Sequence, residues 1–435
     1  MVSLVPPKAA PPRYRVFLTL YALLLRAGMP VVWRYFRKRA VKDPAYMEHA
    51  EERRGQGAAF KADVWLHAVS LGEMTSAAPL VRTILDAGYS VVTTHATPAG
   101  RRIAGELFGA EVDSGQLAIR YAPLDLPGYW DAFFASTTPS VGLVMEMEFW
   151  PAMIEAAARA GVPLCLTNAQ VPSKSQVRAQ RLKTLTGTHP VARAAAVFAK
   201  SPRMAERFKA LGQTQVLALG ETRFDIPPPA HQLAAGDNFL AALKRPVATF
   251  ASVVEGEEET YIQALKAIAV PPFVIWVPRA PELFEPTVTR LSEAGFRVAR
   301  RSEVLDADLN LTGSLENIDI LVGNSFGEMF FYLQPANAVV VGGGFVEKGA
   351  HNVIEPLALG KPVVTGPHVW TIEYPAVEAK AAGVLTVCDG PEALPSVLEA
   401  VLDDQGNLAA AFHGENAGAS ARIFEIVAAH LKERS

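Results

Sequence analysis

The feature that most constrains this chain is an alternation of short apolar runs with helical patterns, carried out twice. Residues 64–69, 90–94, 117–121, 141–145, 163–166, 196–198 and 216–219 are apolar runs bounded by turn residues. Such runs mark strands covered on both faces, as in a parallel sheet. Helical segments such as 77–87 and 152–160 lie between most of them, which predicts a doubly wound α/β fold. A break at 220–229 ends in Pro227, Pro228 and Pro229. The alternation then restarts with 247–252, 273–277, 318–322, 338–341, 362–365 and 383–387. A chain of 435 residues is expected to form two domains, here 51–220 and 221–425. Ligands of such sheets sit outside the carboxyl ends of the strands. Two such domains facing each other would make a cleft with one ligand per side.

Residues 1–50 differ from the rest. The stretch 17–33 is apolar apart from Thr19, Arg26 and some small residues; Lys8, Arg13 and Arg15 precede it, and Arg34, Arg37, Lys38, Arg39 and Lys42 follow. A spanning helix needs about 20 apolar residues, and this run is shorter and carries a charge. It reads as an interfacial helix whose basic flanks meet anionic lipid headgroups; docking on the protein's own surface and a single-pass anchor stay open. The net charge of −3 gives no case for nucleic acid as a partner. Cys165 and Cys388 stand alone in the sequence and fit neither a zinc spacing nor a disulfide framework.

Residues able to do chemistry fall at predicted strand ends. Glu73 follows the first run through Ser70 and Gly72, where a carboxylate can take a proton from an acceptor hydroxyl or merely cap its helix. Glu146 and Glu148 follow the run 141–145, and as alternate residues of an extended segment they can share a face. Arg223 lies in the break. In the second half Ser252 ends a run as a candidate phosphate donor, while Glu255 and Glu257–Glu259 read as solvating a helix start. Arg279 ends the next run and suits a phosphate or carboxylate. Phe326, Gly327 and Glu328 form a turn before an amphipathic helix. Gly342, Gly343 and Gly344 allow a sharp turn and close approach to a ligand. His351, Asn352, Val353, Ile354 and Glu355 then open a predicted helix, whose N–H groups and dipole attract phosphate and whose Glu355 can accept from a ribose. The sequence has no His-Glu-x-x-His, no Asp-x-Asp pair at a strand end and no P-loop.

Taken together, these segments resemble the 3-deoxy-D-manno-octulosonic acid (Kdo) transferases of lipopolysaccharide synthesis. The resemblance is carried by the N-terminal helix, WLHAVSLGE (65–73), YAPLDLPG (121–128), MEMEFWP (145–151), GETRFD (220–225), PRAPELF (278–284), NSFGEM (324–329) and, most specifically, GAHNVIEPLALGKPVVTGPH (349–368). It implies a GT-B architecture: two Rossmann-like domains, the acceptor side first and the nucleotide-sugar side second. It implies transfer of Kdo from CMP-Kdo to a lipid A precursor (lipid IVA), inverting and without a metal or other cofactor. The implied place is the cytoplasmic face of the inner membrane. By resemblance Glu73 is the general base, and Glu146 and Arg223 match positions that steady the transition state. Arg279, Phe326–Glu328 and Asn352–Glu355 match CMP-binding segments.

The chain departs from the family's pattern at several of these positions. Val253 and Val254 stand where a Thr-His pair is usual, and Ala280 where a histidine is. Gln170 and Lys174 replace arginines, and Arg223 replaces a lysine. The departures leave open another CMP-linked ulosonic acid or lipid acceptor, or a paralogue that binds without turnover.

Overall fold

The computed structural model describes residues 4–402 and 408–434. The chain divides into two compact units, Met1–Ile226 with Ala417–Ser435, and Pro227–Asn416. In the first, β1 (Val64–His67), β2 (Val91–His95), β3 (Leu117–Tyr121), β4 (Val141–Met145), β5 (Leu164–Ala169), β6 (Ala196–Ala199) and β7 (Val216–Ala218) pair in the order β3-β2-β1-β4-β5-β6-β7. In the second, β8 (Val247–Val253), β9 (Phe273–Pro278), β10 (Val298–Arg300), β11 (Ile320–Val322), β12 (Ala338–Val341), β13 (Val363–Thr365) and β14 (Leu385–Val387) pair in the order β10-β11-β9-β8-β12-β13-β14. All the pairings are parallel. Each sheet is therefore doubly wound, as the alternation predicts.

The central strands β1, β2, β4 and β12 are buried along their whole length. With helices on both faces neither side meets water, which is why most strands read as apolar stretches; β2 ends in buried Thr93, Thr94 and His95, whose side chains are hydrogen-bonded. Trp65 on β1 lies across Gly142 of β4, where an added Cβ would come within 2.7 Å of the indole. That close approach lets Trp65 pack among Trp130, Phe133 and Phe134, with ring centroids 5.3–5.5 Å away.

β10 has no counterpart among the apolar runs of the sequence. It is three residues long at the sheet edge, and only its middle residue is buried. Arg297 before it and Arg300 at its end form ion pairs with Asp319 and Glu285, so edge exposure allows a composition that hides the strand.

The break at 220–229 is more ordered than a linker. Thr222–Asp225 is a 3₁₀ turn locked into the first unit. The Thr222 hydroxyl donates to the Ser76 carbonyl (2.5 Å), its N–H donates to Asn168 Oδ1 (3.0 Å), and Asn168 donates back to Thr222 Oγ1 (2.8 Å). Asp225 accepts from the N–H groups of Gly418 (2.5 Å) and Ser420 (2.7 Å), capping the final helix, Ala419–Arg434. That helix buries Ile423, Val427 and Leu431 in the first unit's core. The sequence boundaries at 220 and 425 thus differ from the structural ones because buried apolar contacts, not chain order, decide which unit owns a segment.

The N-terminal helix α1 (Pro12–Ala40) is longer than the apolar stretch 17–33. Tyr14 is fully buried and Phe36 nearly so, Tyr21 donates to Asp125 (2.9 Å), and Arg53 lies over the Phe36 ring at 4.3 Å. Between these anchors Val16, Leu20, Leu23, Leu24 and Val31 are exposed.

Asp225→Ala removes both caps of the final helix and is expected to destabilise the chain by about 1–2 kcal/mol. Equilibrium denaturation against the parent chain measures this; an unchanged midpoint would show that the cap carries no stability.

Candidate active site

In the first sheet the chain runs outward from β1 to β2 and β3, then resumes on the other side of β1 at β4. The switch point between β1 and β4 is where a doubly wound sheet opens a crevice, and Glu73 and Glu146 follow those two strands. Glu73 sits in the first turn of α2 (Leu71–Asp86), capped by Ser70, and its Oε2 accepts from the Val69 N–H at 2.5 Å. Its carboxylate thus has the helix-start role that the sequence left open. It also has an unusual titration: burial, then the charges of Glu146 and Glu148, push it up to about 8 from the ordinary 4.5.

Glu146 takes the opposite course. Its backbone is left-handed, φ 56°, a conformation that costs a non-glycine residue about 1–3 kcal/mol and gathers at functional sites. Lys200 Nζ lies 3.4 Å from Oε1, and Gln170 donates to Oε2 at 3.3 Å. Burial alone would raise this carboxyl, but Lys200 and Arg223 more than offset it and hold it below the ordinary carboxylate range. Glu148 differs again. The indole N–H of Trp150 donates to it, and burial raises its pKa. Of the two carboxylates, Glu148 is tied to its own loop and Glu146 meets the cations. Arg223 is partly exposed, 3.9 Å from Glu221, and its charge reaches Glu146.

In the second sheet the switch point lies between β8 and β12. Ser252, the penultimate residue of β8, has φ 57°, and Arg279 follows β9, its N–H donating to the Val253 carbonyl at 2.8 Å. Ser252, Arg279, Phe326, Gly327 and Glu328 together line a cavity of about 160 Å³. Phe326 is exposed at its rim. Glu328 is engaged by Arg301 through two bonds, 2.9 and 2.7 Å, so it braces the turn as well as lining the cavity. His351 stands near enough to Arg279 to feel its charge. Burial first, then that charge, lowers the imidazole to about 4, so it is neutral at pH 7.

Two expectations for this half are corrected. The helix after the glycines is only Ile354–Ala358, and Asn352 Oδ1 accepts from its first N–H at 3.0 Å. Val353 and Ile354 are buried core side chains, leaving only their backbone to face a ligand. Pro356 sits inside this short helix, and it ends at Leu359 and Gly360. The helix is thus too short to carry a full macrodipole. The second correction concerns Glu257. Far from solvating a helix start, it is fully buried and accepts from the N–H groups of Gly343 (2.7 Å), Phe345 (3.0 Å) and Val254 (3.3 Å). An internal carboxylate thus takes up N–H groups of the glycine-rich turn that the sequence offers for close approach to a ligand. Val253 and Val254 are buried beside it.

Residues 46–226 match the family model described as 3-deoxy-D-manno-octulosonic-acid transferase (kdotransferase). The chain is 35% identical over 427 residues to the 3-deoxy-D-manno-octulosonic acid transferase of Bordetella pertussis, covering 93% of this chain and 97% of that one. The chain belongs to the Kdo transferase family. It is also 29% identical to the Haemophilus influenzae enzyme of the same name, covering 95% of this chain and 98% of that one. In fold, UGT73P12 from Glycyrrhiza uralensis is similar, with TM-score 0.59 and 13% identity over 86% of this chain and 96% of that chain. The two seven-stranded units of this Kdo transferase are of the GT-B type.

Sequence reasoning missed Lys200, Glu221 and Glu257. Lys200 was legible in part, because it ends a buried run and precedes Ser201-Pro202, the strand–turn–helix pattern that singled out Glu73 and Glu146. Nothing local distinguishes Glu257 from Glu255, Glu258 and Glu259.

The raised Glu73 has a consequence for stability. Below pH 4.5 both folded and unfolded states hold its proton; between about 4.5 and 8 only the folded state does. Its contribution is therefore fully present below pH 4.5 and lost as pH rises through 8. Glu73→Gln does not titrate, so its stability relative to the parent is expected to climb from pH 5 to pH 8 and then level off. Denaturation curves at a series of pH values test this, and a pH-independent difference would show that Glu73 ionises normally.

Proposed function

We propose that this chain transfers Kdo from CMP-Kdo to a lipid A precursor, with inversion at the anomeric carbon. The observation that carries the reading is the pair of carboxylates at the first switch point, Glu73 and Glu146, pushed in opposite directions by their surroundings. Such a split separates acid–base roles within one site. Glu73 in its ionised form takes the proton of the acceptor hydroxyl, whose oxygen bonds to the Kdo anomeric carbon as the bond to the CMP phosphate oxygen breaks. A base with so high a pKa is strong enough to pull on a hydroxyl proton in the transition state. Glu146 and Arg223 steady the charge that develops.

In this reading the second unit holds CMP. Arg279 and Ser252 face the phosphate, Phe326–Glu328 shape the pocket, and His351 to Glu355 contribute near the ribose. Because Glu257 occupies the glycine nest, the phosphate relies on side-chain donors and the fixed cation rather than on that loop. With CMP-Kdo as donor, the fixed cation and the side-chain donors supply the electrostatic stabilisation of the leaving group, and the reading calls for no metal.

The acceptor explains α1. Tyr14 and Phe36 are about 33 Å apart along the helix, close to the thickness of a bilayer's hydrocarbon core. Both are buried in the same unit, which favours a helix lying in the interface over one that crosses it. Its exposed leucines and valines would enter the acyl region, and Arg37, Lys38 and Arg39 would meet anionic headgroups. In this reading the transferase works at the cytoplasmic face of the inner membrane, which the apolar helix with its basic flank supports.

Release of CMP from CMP-Kdo with a tetra-acylated lipid A precursor tests the transfer. The parent chain is expected to turn over, and Glu73→Ala to lose about 10²–10⁴-fold in rate with CMP binding retained. Unimpaired turnover in Glu73→Ala would remove Glu73 as base; CMP binding without turnover in the parent would remove the transferase reading. For the membrane, Leu20→Asp with Leu24→Asp is expected to move the protein from sedimenting vesicles of anionic phospholipid to the supernatant with its melting temperature unchanged. Continued sedimentation would argue against an in-plane α1.

A further inference from the structure

We infer that Lys200 is a positioning residue for the transfer, its ammonium fixing the Glu146 carboxylate at the switch point through a buried Glu146–Lys200–Glu221 triad. The inference rests on the proposed reaction. Lys200 follows β6, where its N–H donates to the Ala169 carbonyl at 3.1 Å. Its side chain is 4% exposed, and Nζ lies 3.4 Å from Glu146 Oε1 and 3.2 Å from Glu221 Oε1. Glu221, 2% exposed, lies against this ammonium and 3.9 Å from Arg223.

The groups facing Glu146 come from five places: Glu73 on α2, Glu148 on its own loop, Gln170 after β5, Lys200 after β6, and Glu221 with Arg223 after β7. Glu146 and Glu221 carry two negative charges, and Lys200 and Arg223 two positive ones. Of these cations Lys200 is the buried one and Arg223 the partly exposed one, so Lys200 is less screened and more fixed. It also sits where its position matters most. Glu146 has an unfavourable left-handed backbone, and an ion pair on its carboxylate holds that conformation. Gln170 donates to the other oxygen, fixing the plane of the carboxylate but contributing no charge. The cation at this point of the crevice is thus Lys200.

A purely structural alternative is that Lys200 only neutralises Glu221. The double variant Lys200→Gln/Glu221→Gln separates the two, since it removes both charges of that pair and leaves Glu146 without its ammonium. Glu221→Gln alone leaves Lys200 on Glu146. The carboxyl of Glu146 is followed by ¹³C NMR with labelled glutamate, assigned by its loss in Glu146→Gln, beside the pH profile of Kdo transfer and the KM for CMP-Kdo. In the double variant Glu146 is expected to titrate about one pH unit or more higher than in the parent. Its kcat should fall about ten- to hundredfold with little change in KM. Glu221→Gln should keep the parent titration, and Lys200→Arg should restore it and part of kcat. A parent-like titration of Glu146 in the double variant, or one raised equally by Glu221→Gln alone, would overturn the inference. The titration does not depend on turnover, so a chain inactive on CMP-Kdo would end the proposed function while the NMR arm still decided the place of Lys200.

Discussion

A carboxylate taken out of water at the end of a buried strand must find cations or N–H donors, or give up its charge. Both sheets of this chain meet that constraint at their switch points, and they meet it differently. In the first, Glu146 is met by Lys200, Arg223 and Gln170. In the second, Glu257 is met by three backbone N–H groups and stays wholly internal. Most of what each site can do follows from this difference.

Burial first, and then the secured charge of Glu146, raises the neighbouring Glu73, whose ionised form is supported by backbone hydrogen bonds from Val69 and Ser70. One crevice therefore holds one settled carboxylate and one that is reluctant to ionise. The second crevice has its nest closed by Glu257, which ties the turn after β12 to the turn after β8. What remains for a ligand is the cavity beside it, with Arg279, Ser252 and the Phe326–Glu328 turn. Backbone strain marks the same places. Glu146, Asn168 and Ser252 are left-handed at or just past the ends of β4, β5 and β8, where strain is tolerated because buried packing and hydrogen bonds hold it.

The strands and their grouping in two halves were legible because a strand covered on both faces is mostly apolar, and such a run is visible in one dimension even where buried polar residues close it, as in β2 and β5. β10 escaped because an edge strand is released from that demand. The positions of Glu73, Glu146, Ser252 and Arg279 were legible for a related reason, since a polar residue ending an apolar run falls at a strand's carboxyl end. The Ile354–Ala358 helix was read too generously, because Leu357 and Leu359 continue the apolar pattern although the backbone hydrogen bonds do not. Asp225 was missed as a cap because the helix it serves begins almost two hundred residues later.

The sequence by itself determined the doubly wound class, the order of the sheets' building blocks, and which residues stand at strand ends, since all of these follow from local periodicity and burial. Only the tertiary structure decided which charges meet. Glu146 and Lys200 are 54 residues apart, and Glu257 and Gly343 are 86 apart. Electrostatic pairing depends on distance through space and on the local dielectric, and no local pattern records it. The same four glutamates near residue 257 look alike along the chain, and folding alone places one of them under the glycine turn.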